Sequence, residues 1–114
     1  MSYFEKLRER FMRDPLSRRL GGIAATLGRI SSSARNSTDS IIVADLLNEA
    51  KHLIEWTAAE TEPETAAELV RMQTLITLWQ GTWDEASQNS KQRILLSVQA
   101  KDWSDKVVDF SGLV

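Results

Sequence analysis

The sequence predicts an all-α fold, in which four main helices form a four-helix bundle-like array with a short additional N-terminal helix. Apolar residues recur at steps of three and four along most of the chain, which is the period of one helix face. The 114 residues include only two prolines and five glycines, and a scarcity of such helix breakers favours long helices. No stretch alternates polar and apolar residues over a useful length, so no strand is predicted. Residues 1–114 are expected to form a single helical domain, because this length suits one domain.

The first two predicted helices meet at Asp14 and Pro15. Ser2 and Glu5 have the spacing of a capping box that begins the first helix. Asp14 is expected to cap the second helix, because proline is tolerated in the turn that follows a cap. This second helix is predicted to run from Pro15 to about Ala34, unless it breaks at its first two glycines, Gly21-Gly22. Beside its apolar stripe lies a stripe of small residues that would allow close helix packing: Gly21, Ala24, Ala25, Gly28 and Ser32.

The third predicted helix follows a loop between Asn36 and Ser40, where short polar side chains favour turns. Asp39 or Ser40 is expected to cap this helix, which runs to about Ala59. Its apolar face is broad, which is typical of a helix with more than one neighbour. The residues of this face are Ile42, Val43, Leu46, Leu47, Ala50, Leu53, Ile54, Thr57 and Ala58.

The last two predicted helices carry most of the tryptophans. A capping box of Thr61 and Glu64, with Pro63 in the first turn, predicts the start of the fourth helix. The fourth helix is expected to continue through Gly81 to about Ser87, because its apolar residues stay in register: Leu69, Met72, Ile76, Trp79, Trp83 and Ala86. The fifth helix is predicted from Lys91 to about Asp109, before a stop at Gly112. Its stripe consists of Leu96, Ala100, Trp103, Val107 and Phe110.

Charge is divided unevenly along the chain. Residues 1–35 hold eight basic and three acidic side chains, a net charge of +5, whereas residues 36–70 hold one base and eight acids, a net charge of −7. Residues 71–114 hold five of each. Three interpretations are open: basic and acidic helices pair within one fold, two copies associate through their opposite poles, or the basic part binds an anionic partner.

No set of residues in the sequence indicates catalysis, a metal, a cofactor or a small-molecule substrate. The chain contains no cysteine and a single histidine, and Glu49 with His52 provides only one of the two Glu-x-x-His pairs that a di-iron bundle needs. We therefore expect a non-enzymatic helical protein–protein interaction module in the cytoplasm, which binds a partner or forms a homodimer. Trp56, at the edge of its helix face, is a candidate partner contact. Phe4 and Phe11 on the first helix are two more.

Two alternative functions use the basic N-terminal third. Ile23 and Ala24 followed by Gly28 resemble the start of a helix-turn-helix, which would imply nucleic-acid binding. The candidate anion contacts are Arg8, Arg10, Arg13, Arg18, Arg19 and Arg29. In the other alternative, the amphipathic first helix would lie on an anionic membrane surface as part of an adaptor.

Overall fold

The computed structural model describes residues 2–112, which form five α-helices and two short 3-10 turns. The helices are α1 (Tyr3–Met12), α2 (Leu16–Ala34), α3 (Ser40–Thr57), α4 (Pro63–Ala86) and α5 (Ser90–Ser111). The 3-10 turns, Ser37–Asp39 and Ala58–Glu60, precede and follow α3. This part of the chain contains no strand. The prediction of an all-α fold with a short first helix is confirmed.

The four long helices are arranged in the order α5, α2, α3, α4. Helix α2 packs along α5 on one side and along α3 on the other, and α4 packs against the far side of α3. Helix α1 lies on α3. The molecule measures 38 × 33 × 21 Å, so its smallest dimension is about two helix diameters. A short turn joins α4 to α5, but these two helices contact each other over only a short stretch. A groove therefore lies between them.

One cluster of buried residues from α2 to α5 forms the core. The predicted apolar stripe of α4 is buried from Leu69 to Ala86, and in α5 all but Phe110 of the predicted stripe is buried. The prediction for α3 was wrong at Ile42, whose side chain is 51% exposed. Ile42 lies at the margin of the face in the first turn of α3, whereas Val43 beside it is fully buried.

Small residues bring α2 and α5 close together. Helix α2 continues through all three of its glycines, so no break occurs at the first two. The Oγ atom of Ser104 donates a hydrogen bond to the carbonyl oxygen of Ala24 at 2.8 Å, and a Cβ atom on Gly28 would lie 3.7 Å from that same Oγ. Ala25 and Ser32 are exposed. Of the predicted stripe of small residues, Ala24 and Gly28 therefore face α5, whereas Ala25 and Ser32 do not form a buried contact.

The first helix begins as predicted and the second does not. The Oγ atom of Ser2 accepts from the Glu5 amide at 3.1 Å, and the Glu5 carboxylate accepts from the Ser2 amide at 3.4 Å, so the capping box is present. Pro15 occupies the cap position of α2, without a capping side chain. The prediction that Asp14 caps α2 was wrong, because Asp14 lies one residue too early. Its carbonyl oxygen accepts instead from Nε of Arg19 at 3.1 Å.

The predicted capping box at the start of α4 is also wrong. A 3-10 turn extends α3, and Thr61 closes it by donating its hydroxyl hydrogen to the carbonyl oxygen of Ala58 at 2.7 Å. Glu62 therefore takes the cap position of α4, again without a side-chain bond. Asp39 precedes α3 as predicted, but its carboxylate accepts from the Asn36 amide group at 3.2 Å and not from a helix N–H.

Candidate interaction surface

The three aromatic residues predicted to contact a partner contact groups of the same chain. The ring of Phe4 stacks on His52 with centroids 4.3 Å apart, and the ring of Phe11 lies 6.2 Å from that of Trp56. All four side chains are partly buried. Nδ1 of His52 lies 2.8 Å from the carbonyl oxygen of Asn48, so Nδ1 carries the hydrogen, because a carbonyl can only accept. This aromatic cluster (Phe4, Phe11, His52 and Trp56) holds α1 on α3.

Arg19, one of the six predicted anion contacts, is buried in an ion pair. Its side chain is only 6% exposed, and its two terminal nitrogens donate to the Glu60 carboxylate at 2.7 and 2.9 Å. The hydrogen bond with Arg19 lowers the pKa of the Glu60 carboxyl group, and the same bond raises the pKa of Arg19 against the opposing effect of burial. Glu60 is thus the counter-ion of Arg19, and this guanidinium is not accessible to an external anion.

The other predicted anion contacts are distributed over the exposed sides of α1 and α2. Three of them have a carboxylate partner within 4.0 Å: Arg13 with Glu9, Arg18 with Asp14, and Arg29 with Glu49. Arg8 and Arg10 form no ion pair within residues 2–112. Two pairs, from Arg19 and Arg29, join the basic first third to the acidic middle of the chain. These two pairs are the internal pairing that the first interpretation of the charge division expects.

The helix-turn-helix resemblance does not correspond to the fold. Gly28 lies inside α2, which continues for six residues beyond it to Ala34, so no turn follows the Ile23-Ala24 pair. The segment that would have to be the recognition helix contains the 3-10 turn Ser37–Asp39. The sequence suggested the motif because glycine is usually unfavourable inside a helix. Here Gly28 is nevertheless inside α2, at its contact with α5.

Three further features of residues 2–112 bear on possible functions. No helix there combines the length and the apolar character that crossing a bilayer requires. No group of three or more aspartate, glutamate or histidine side chains is arranged to hold a metal ion. A cavity of about 450 Å³ between α1, α2 and α3 is bordered by Arg29 and Glu49. These two side chains already pair with each other, at 3.5 Å. The compartment of the protein stays a prediction.

The groove between α4 and α5 is apolar at the end nearest the turn that joins them. It is shallow and open, with a volume of about 330 Å³, and it is lined by Leu75 and Leu78 of α4 and Leu95 of α5, together with the polar side chains of Thr82, Gln92 and Gln99. At its floor, Nε1 of Trp79 donates to the side-chain oxygen of Gln99 at 2.6 Å. The side chains of Leu78 and Leu95 are 62% and 52% exposed. Sequence analysis missed this surface, because neither leucine belongs to the buried stripe of its helix.

The outer face of α5 continues the apolar surface of the groove. Next to Leu95, the side chains of Ile94 and Val98 are 47% and 56% exposed. Leu95 and Val98 also belong to a row of exposed residues at steps of four, three and four, which is the spacing of a coiled-coil seam. We call this row the α5 seam, and its residues are Lys91, Leu95, Val98 and Asp102. The spacing of the α5 seam is visible in the sequence. However, the buried stripe of α5 has the same spacing, so periodicity alone does not identify the exposed row.

Comparison of the chain with protein-family models, curated proteins and solved structures found no match. Evidence about function therefore comes from the chemistry of the molecular surface. The predicted aromatic residues contact rings of the same chain, and four of the six predicted arginines have carboxylate partners. The α4–α5 groove and the adjoining α5 seam instead expose several large apolar side chains side by side.

Proposed function

We propose that this chain is a non-enzymatic protein–protein interaction module, which binds a helix at the groove between α4 and α5. The observation that carries the proposal is the exposed apolar surface of the groove and of the outer face of α5 next to it: Leu78 and Leu95 line the groove, and Ile94 and Val98 are exposed on the same helix as Leu95. Contiguous exposed apolar surface on a soluble domain is typical of a binding site. An apolar groove bounded by two helices matches the groove mode of peptide recognition, in which an amphipathic helix lays its apolar face between them.

Burial of these side chains is the expected source of affinity. Complete burial of a leucine or valine side chain stabilises by about 1.5–3 kcal/mol. Since each of the four side chains is already about half covered by the fold, the part that a partner can still cover contributes about 1 kcal/mol per side chain. Association must also offset the loss of translational and rotational freedom. The proposed contact is therefore a weak and reversible one.

The alternative functions lack a supporting contact of this kind. The apolar side chains of Phe4 and Phe11 face α3, so a membrane-bound α1 would first have to leave the aromatic cluster. Most of the candidate anion contacts pair with carboxylates. Nucleic-acid binding and membrane binding stay untested predictions, as does the cytoplasmic location in which we propose the interaction takes place.

Photo-crosslinking in the cells that produce the protein would test the proposed function. A photoreactive phenylalanine analogue at Leu95 is expected to form adducts, because this side chain lies in the groove. The matched control carries the same analogue at Ile41, which is 77% exposed in the first turn of α3. Adducts at position 95 should also decrease when Leu78→Glu introduces a charge into the groove. Equal adduct yields at positions 95 and 41, or none at position 95, would contradict the proposal.

A further inference from the structure

The two ends of the α5 seam carry opposite charges at equal distances from its centre. Lys91 lies four residues before Leu95, and Asp102 lies four residues after Val98. The four residues are therefore symmetric about the midpoint between positions 96 and 97. The seam from Lys91 to Asp102 is about 16 Å long. It lies entirely within α5, which has 22 residues. A symmetric row with opposite charges at its ends is complementary to itself when one copy is reversed.

We infer that the helix bound at the groove is α5 of a second copy of this chain, packed antiparallel along the α5 seam. This inference rests on the proposed function and specifies the partner. A two-fold axis at the centre of the seam places Leu95 opposite Val98 of the second copy, and Lys91 opposite its Asp102. Each contact then occurs twice, as in any isologous interface. The paired seams have the four-and-three spacing that allows knobs-into-holes packing.

The charges favour the antiparallel over the parallel arrangement. Parallel seams would place Lys91 opposite Lys91 and Asp102 opposite Asp102, and like charges facing each other oppose association. Lys91 forms no ion pair within residues 2–112, so its ammonium group is available to a second copy. Asp102 has one local partner, Lys106, at 3.3 Å, but both side chains are at least half exposed. An exposed pair of this kind contributes little, so it does not prevent Asp102 from pairing with the second copy.

The α4 side of the groove completes the contact. Leu78 lies across the groove from Leu95, so a second α5 helix seated on the seam also covers the exposed apolar surface of α4. The resulting dimer contains two α4–α5 pairs around one two-fold axis. Because each copy contributes only four half-covered apolar side chains, whose burial only slightly exceeds the cost of lost translational and rotational freedom, we expect a dissociation constant on the order of 1 mM.

Sedimentation of the full-length purified chain over about 5–500 μM tests the inference. The mass is expected to rise with concentration from the 12.9 kDa of one chain towards twice that value. The single variants Lys91→Asp and Asp102→Lys should each weaken association about tenfold, because each places like charges together at both symmetric contacts. The double variant, with the two charges exchanged, should restore association to near the wild-type level. Ile41→Glu, away from the groove, should have no effect.

Two results would overturn the inference. A mass that stays at 12.9 kDa up to 500 μM would rule out the second copy, yet adducts with another protein at position 95 would leave the proposed function intact. A dimer that the exchanged double variant fails to restore would rule out the antiparallel seam. Both charge substitutions change exposed residues, so circular dichroism is expected to show native helix content in every variant. A loss of mass without a loss of helicity is then a change in association.

Discussion

Gly28 lies where α2 packs against Ser104 of α5, and it allows a direct test of that contact. In helices, the allowed rotamers of leucine direct the side chain towards the N-terminus, over the residues three and four positions earlier. A leucine at position 28 would thus cover the turn at Ala24. At that turn, the Ser104 hydroxyl donates to the Ala24 carbonyl oxygen at 2.8 Å. Gly28→Leu must therefore displace Ser104, whereas Gly28→Ala places its Cβ at an ordinary contact distance of 3.7 Å.

The two substitutions are expected to shift Tm in opposite directions. Replacing a helix-interior glycine by alanine stabilises by about 0.5–1 kcal/mol. With an unfolding entropy of about 2 cal/mol/K per residue, 1 kcal/mol shifts the Tm of a chain this long by about 4 °C, so Gly28→Ala should raise Tm by about 2–4 °C. Overpacking costs about 1–3 kcal/mol and a lost hydrogen bond about 1 kcal/mol. These costs exceed the gain in helix propensity, so Gly28→Leu should lower Tm by about 4–12 °C.

Gly81 provides the matched control, because a Cβ atom there has no neighbour within 4 Å. Gly81→Leu should raise Tm by about 2–4 °C, since it gains helix propensity without a clash. Thermal unfolding followed by circular dichroism measures all these variants, and a double-mutant cycle of Gly28→Leu with Ser104→Ala should show a coupling of about 1 kcal/mol. Equal stability of the two leucine variants, or no coupling to Ser104, would refute the close contact.

Three further predictions concern other single positions. Gly112 ends α5 with a φ of 71°, so Gly112→Ala should reduce the free energy of unfolding by about 1 kcal/mol in urea titrations. The hydroxyl of Thr57 is buried without a hydrogen-bond partner, so Thr57→Val should raise that free energy by about 1 kcal/mol. Because Arg19 lowers the pKa of Glu60, the ionised pair stabilises the fold above the ordinary glutamate pKa, and this contribution disappears as the pH falls through the lowered value. Glu60→Gln should therefore have a smaller free energy of unfolding than wild type at pH 7, and the difference between the two should decrease in acid. A difference that does not depend on pH would contradict this prediction.

Helix positions could be predicted from the sequence because their main signal is periodic burial. The stripe from Leu69 to Trp83 stays in register across Gly81, and α4 is continuous there. The small-residue stripe that contains Gly28 predicted a close helix contact, but the sequence did not identify α5 as the helix that makes it, and the same glycine is also compatible with a turn. The same limit explains the wrong helix-turn-helix interpretation. Periodicity identifies the buried face of a helix, but it does not identify the helix that covers it.

Helix caps were less predictable than helix interiors, because a hydroxyl or carboxylate near a helix end has several backbone groups within reach. Thr61 illustrates this: its hydroxyl closes the 3-10 turn after α3 and is not used at the start of α4. The Thr61 hydroxyl could cap α4 only if it did not close a 3-10 turn after α3. Nothing in the sequence indicates that this turn is present. The Ser2 and Glu5 side chains form the capping box that their spacing predicts, so there the prediction is confirmed.

The division of charge between the first third and the middle of the chain was the most conspicuous feature of the sequence, and two ion pairs satisfy part of it within the chain. Arg19 and Arg29 pair with carboxylates of the acidic part, so this polarity supports contact within one chain. The surface that carries the proposal lies instead in α5, where residues 71–114 have no net charge. There, one lysine and one aspartate at the ends of an exposed apolar pair specify an orientation. A local arrangement of two charges can therefore be more informative about a partner than a large net charge, because its position on the fold decides what it can contact.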